Sequence, residues 1–127
     1  MTPGAIRPLR AFPALLLLLA LFSGPTLAQD CDKASSVPDM TECARLRLRA
    51  AERELGAVYG DLLDSEDKDL AQAVRAAQEA WMRWREAEGK LAASGVTDPG
   101  VAQLERTRQE ARMTEERLMD LKALRGR

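Results

Sequence analysis

The sequence contains no histidine. That removes the side chain most used as a general base near neutral pH and the commonest metal ligand. It holds only two cysteines, Cys31 and Cys43. Joined to each other they leave no thiol nucleophile and no zinc-binding set. Their spacing is also far from the Cys-x-x-Cys arrangement of thiol–disulfide exchangers. The glycines are scattered through helical text, so no glycine-rich loop can cradle a phosphate. Serines 23, 35, 36, 65 and 94 lie mostly at cap or loop positions, with no base to activate them. No segment alternates in the manner of a strand. Nothing in the chain points to a catalytic residue, a metal site or a cofactor.

Acidic residues are missing from the first 29 positions, and that stretch has its own logic. Arg7 and Arg10 precede an apolar run from Ala11 to Phe22. Ser23-Gly24-Pro25 then breaks a helix, and Thr26-Leu27-Ala28 offers small residues at alternate positions. This is the pattern of a secretory signal peptide, with cleavage expected after Ala28. The run is short for a bilayer span, and Gln29-Asp30 before Cys31 is unlike a lipid-attachment site. Removing residues 1–28 of 127 leaves 99, read as one domain, expected to be periplasmic or secreted without stable membrane insertion. Losing Arg7 and Arg10 lowers the 19 Lys+Arg to 17 against 20 Asp+Glu, a net charge of about −3. Such a balance disfavours nucleic acid and suits a basic protein as partner.

A domain of this size has a thin core and often relies on a crosslink. In an oxidising compartment the pair can close only one intramolecular bridge, Cys31–Cys43. Closing so short a loop is worth roughly 3 kcal/mol in the chain-entropy estimate. The bond is expected to tie the N-terminal tail to the first helix.

Three helices follow from periodicity and breakers. Ser36 is placed to cap the first, with Asp39 three residues on and Pro38 in the first turn. Met40, Ala44, Leu48, Ala51, Leu55, Val58 and Leu62 mark its inner face, widened by Tyr59 and Leu63, over about 37–63. Gly56 and Gly60 inside it each cost about 1 kcal/mol relative to Ala, and glycines of this kind permit close helix contact. Asp64-Ser65-Glu66-Asp67 makes the turn. The second helix spans about 66–93, with a stripe of Leu70, Val74, Ala77, Trp81, Trp84 and Leu91 and Ala73, Ala80 and Ala87 as small fillers. Gly95 ends it. Asp98 caps the third helix, Pro99 suits its first position, and Leu104, Thr107, Ala111, Thr114, Leu118 and Leu121 carry the pattern to about 124. The fold class is all-α: a small antiparallel three-helix bundle, or an elongated helical hairpin plus a third helix. Alanine-rich seams also leave a homodimer open as a way to bury the remaining face.

Two features merit a functional reading. Asp61, Asp64, Glu66, Asp67 and Asp69 crowd the first turn without the alternating ligands and central glycine of a calcium loop. They cap and solvate, and they form a candidate patch for a basic partner. Trp81, Trp84 and Tyr59 are the heaviest core candidates. Gln78, Trp81 and Arg85 share nearly one face, which makes either a ligand ridge or, as expected here, a buried tryptophan edged by interhelical hydrogen bonds.

From Cys31 to Leu121 the chain resembles the small secreted domain of lysozyme-inhibitor LprI-like proteins, a broad bacterial family. The first helix carries Cys43 and Glu54-Leu55-Gly56-Ala57-Val58-Tyr59, with Gly56 where relatives usually have asparagine. The second carries Ala77-Gln78-Glu79-Ala80-Trp81-Met82-Arg83-Trp84-Arg85, matching the family's Gln, Trp, aromatic and Arg. Thr114-Glu115-Glu116-Arg117 matches its Thr-x-x-Arg ending. Relatives commonly have a third cysteine where this chain has Gly89 and a fourth near Gln109, so a second bridge is missing as a pair. The resemblance implies a helical domain that in some relatives binds lysozyme. The alternative is a structural or accessory protein of the cell envelope without that affinity.

Overall fold

The computed structural model describes residues 30–126, in the order α1 (Val37–Leu63), α2 (Lys68–Ala92) and α3 (Pro99–Arg125). The signal segment 1–28 and its cleavage site lie outside the described residues. Each helix begins where a short polar side chain can satisfy an orphan backbone N–H. The Ser36 hydroxyl accepts from the Asp39 N–H at 3.2 Å, and the Asp98 carboxylate accepts from the Val101 N–H at 2.9 Å. The α2 cap is Asp67, which accepts from the Leu70 N–H at 2.9 Å. That helix therefore starts later than the expected 66, because Ser65 and Glu66 are used in the turn and the Ser65 hydroxyl accepts from the Asp67 N–H. Gly95 has φ +78°, a left-handed conformation that favours glycine, just past the end of α2.

The chain runs up, down and up, so α1 and α3 are parallel. These two helices form the most extensive interface, α3 also packs along α2, and α1 and α2 touch sparsely. Buried positions on α3 are Leu104, Thr107, Ala111, Thr114, Leu118 and Leu121, with Met113 beside them. Those on α1 are Thr41, Ala44, Ala51, Leu55, Val58 and Leu62. The α3 set alternates steps of three and four, and the α1 set does so once the half-buried Leu48 is counted between Ala44 and Ala51. This is the repeat that keeps two parallel helices in continuous contact. A ladder of cross-helix contacts follows the same repeat: Arg108 to the Met40 sulfur, Arg47 to Glu115 at 2.7 Å and Lys122 to Glu54 at 2.9 Å. Leu55, Val58, Leu62, Val74, Trp81, Met113, Leu118 and Leu121 form the apolar core. The buried threonines stay satisfied by donating to carbonyls one turn back, as Thr114 does to the Glu110 oxygen at 2.7 Å.

Two expectations are corrected. A Cβ added at Gly56 or Gly60 would meet nothing within 4 Å, so neither glycine serves close helix contact. On α2 the buried face is Ala71, Val74, Gln78, Trp81 and Gly89. Trp84 and Leu91, expected inside, are 57% and 65% exposed. Polar Gln78 takes a core position because α3 offers it a hydrogen-bonding partner there. Among the described residues, no helix is long and apolar enough to cross a membrane.

Candidate functional site

The residues of the two family-like motifs meet at one place, where α2 crosses α3. Gln78, Trp81 and Arg85 follow one another at helical intervals along the inner face of α2, and Thr114 and Arg117 do so on α3. The Arg117 Nε donates to the Gln78 amide oxygen at 3.1 Å. Arg85 Nη1 donates both to the Thr114 hydroxyl and to the Glu52 carboxylate of α1, each at 2.9 Å. Trp81, only 8% exposed, lies against both guanidinium groups, whose centres are 5.1 Å (Arg85) and 6.0 Å (Arg117) from the ring centroid. A positive charge near an indole face is attracted by the ring quadrupole, and more so away from water. The cluster thus clamps all three helices around one tryptophan. Glu52, which completes it, was not singled out by sequence reasoning. Its only signal was a carboxylate on α1 two residues before the Glu54-Leu55 motif.

Beside this clamp, the sparse contact between α1 and α2 leaves a shallow groove of about 250 Å³. Glu52, Gly56, Tyr59, Met82 and the edge of Trp81 line it. Tyr59 is half-buried there, whereas Trp84 points away from the cluster and donates its indole N–H to Glu88 at 3.2 Å.

The acidic residues of the α1–α2 turn are all exposed but are not equivalent. Asp61 is ion-paired with Arg125 of α3 at 2.7 Å, and Asp67 is engaged as the α2 cap. Lys122, which lies near this pole in sequence, reaches Glu54 instead. Lys68 folds back to donate to the Ser65 carbonyl at 3.0 Å. Asp64, Glu66 and Asp69 form no ion pair among the described residues.

Cys31 and Cys43 are disulfide-bonded, with Cα atoms 5.6 Å apart, which ties the segment before α1 to that helix. Gly89 is buried where α2 passes the Glu110 side chain of α3. A Cβ there would lie 2.7–3.2 Å from the Glu110 side chain, which is itself paired with Arg106 at 2.9 Å. Gly89, where the family resemblance expects a third cysteine, thus lies beside Glu110, the neighbour of Gln109, near which it expects the fourth. No group of three or more His, Cys, Asp or Glu side chains among the described residues could hold a metal ion.

Fold and cluster together define a small all-α domain, tethered by one disulfide and clamped through a buried tryptophan. The chain belongs to the lysozyme inhibitor LprI family, whose model matches residues 29–121. It is also 35% identical over 99 residues to an uncharacterized protein of Rhizobium meliloti (strain 1021), an alignment spanning 65% of this chain and 70% of that one. No solved structure matches the chain.

Proposed function

We propose that the protein works outside the cytoplasm as a non-enzymatic inhibitor that binds a lysozyme and covers part of its surface. The observation that carries this reading is the family match over residues 29–121. The disulfide and the signal-like residues 1–28 support the compartment. Lysozymes are typically basic, and the α1–α2 turn presents Asp64, Glu66 and Asp69 without ion pairs among the described residues. Such a patch accelerates encounter more than it holds a complex, so apolar contacts must supply the lifetime.

The test is inhibition and calorimetric titration of the purified protein against several lysozyme types. It is joined by stopped-flow association of the Asp64→Asn, Glu66→Gln, Asp67→Asn triple variant at low and high salt. Asn at position 67 still caps α2, so the fold is kept while charge is removed. Slower association at low salt, converging with the parent protein as salt rises, is the expected result. Equal rates at low salt exclude steering by this turn. Failure of the parent protein to bind any lysozyme type would leave the accessory envelope role.

A further inference from the structure

The helix α2 has two apolar faces, and the fold uses only one of them. Leu70, Ala73, Ala77, Ala80, Trp84, Ala87 and Leu91 recur at alternating steps of three and four. All but the half-buried Leu70 are exposed, Trp84 by 57% and Leu91 by 65%. Over 21 residues at 1.5 Å each, this stripe runs about 32 Å along the helix. Its spacing is the seam of a two-helix coiled coil, in which each knob enters a hole on the facing helix. Such a hole is present. Beside Ala73 and Ala77, between α2 and α3, lies a groove of about 410 Å³ bordered by Leu70, Leu121 and Leu124.

We infer that the occupant of this face is a second copy of the same chain, docked with the two α2 helices antiparallel about a two-fold axis. The stripe is complementary to its own reverse. In one register Ala73 faces the partner's Trp84 and Leu70 faces the partner's Ala87. Ala77 then faces the partner's Ala80. Large side chains meet small ones in the outer layers and alanine meets alanine at the centre, with Leu91 beyond them near the partner's turn. Each Trp84 reaches the partner's groove beside Ala73 and Ala77. The two-fold repeats every one of these contacts, as an isologous interface requires.

Charge is complementary in the same register. Asp69, Ala76, Arg83 and Lys90 line one flank of the stripe at seven-residue steps, all exposed. In the register above, Asp69 stands opposite the partner's Lys90 and Ala76 opposite the partner's Arg83. Sliding the pairing by one heptad in one direction would bring Arg83 against the partner's Arg83, a repulsive contact. Sliding it the other way would leave Trp84 opposite the partner's turn at Glu66, away from the groove. On the other flank, Glu88 is held by the Trp84 indole and Asp67 by its cap. Lys90 is engaged only with Glu86 of its own helix in the single chain, so it is free to be shared.

Sedimentation velocity of the purified protein over a concentration series tests this, with far-ultraviolet circular dichroism confirming that each variant is folded. The expected result is a reversible monomer–dimer equilibrium. Trp84→Ala should weaken dimerisation by at least about tenfold, as for a central aromatic anchor, at unchanged helicity. Asp69→Lys and Lys90→Asp should each weaken it, and the double variant carrying both changes should recover it, because the pair is restored with reversed sign. A protein that stays monomeric at high concentration would overturn the inference. So would a dimer indifferent to Trp84→Ala, or charge reversals that weaken it without mutual rescue. None of these readouts depends on whether the protein binds a lysozyme.

Discussion

The guanidinium of Arg85 donates to the hydroxyl of Thr114, a side chain with no solvent exposure at all. The same arginine reaches Glu52, so a single side chain from α2 holds both other helices. Replacing Thr114 by valine keeps the shape but leaves one arginine N–H without its acceptor in a partly buried setting. The variant should lose about 1–3 kcal/mol of unfolding free energy. Trp81→Ala removes the ring that both arginines cover and should cost about 3–5 kcal/mol. Urea denaturation followed by circular dichroism gives both values, and a loss below about 1 kcal/mol at Trp81 would show that the clamp is not the organising contact.

The glycines separate by position. Gly56→Ala adds a methyl where nothing lies within 4 Å and removes a helix-interior glycine. It should raise stability by about 1 kcal/mol, read as a higher urea midpoint at unchanged slope. Gly89→Ala should fall short of that gain, because its methyl would displace the Glu110 carboxylate from above the helix. Equal gains at both sites would mean that Glu110 swings aside without loss.

A second crosslink can be introduced where this chain lacks one. A Cβ on Gly89 lies 3.0 Å from the Glu110 Cγ. One further carbon–carbon bond of about 1.5 Å bounds the Cβ–Cβ distance at about 4.5 Å, within disulfide range. Gly89→Cys with Glu110→Cys should oxidise spontaneously and stabilise by about 3 kcal/mol, measured against the reduced form of the same variant. Gly89→Cys with Gln109→Cys should crosslink less completely under identical conditions, since the Glu110 side chain is the one overlying the glycine. Mass spectrometry of both oxidised proteins decides between them.

Glu42 should titrate abnormally. It accepts hydrogen bonds from Arg45 at 2.6 Å and Arg49 at 2.8 Å. Chiefly through the Arg45 bond, and further through Arg49, its carboxyl is held below the usual glutamate range. The folded pKa being the lower one, the stabilisation from this cluster is present above the unfolded value. It is lost as pH falls through the folded value. Because the group is exposed, the change in stability is slight, and carbon-detected NMR titration is the sensitive measurement. Arg45→Gln should move the Glu42 midpoint upward toward the ordinary value, and an unmoved midpoint would contradict this account.

Much of this molecule is local chemistry and is legible in the chain. Ser36 and Asp98 cap helices because each meets an N–H three residues ahead, whatever the rest of the fold does. The α3 stripe from Leu104 to Leu121 has a single periodic solution, and every member of it is buried. Cys31 and Cys43 had only each other. The capping role within the acidic turn is also legible, since Asp67 is a cap, though the pairing of Asp61 with Arg125 joins residues 64 positions apart.

What periodicity could not decide was α2. That helix carries two apolar stripes about a third of a turn apart, one through Val74 and Trp81 and one through Ala77 and Trp84, and spacing alone ranks them equally. Only the tertiary structure chose between them. The parallel packing of α1 with α3 brings Glu52, Thr114 and Arg117 to the positions where Gln78 and Arg85 can bond, so a face with two polar residues became the buried one. The more apolar face, with Trp84 and Leu91, stayed outside. The sequence by itself determined the caps of α1 and α3 and which of their faces turn inward, because caps and single stripes act over a few residues. Which tryptophan is core depended on hydrogen-bonding partners about 30 to 40 residues distant, and those exist only once the chain has folded.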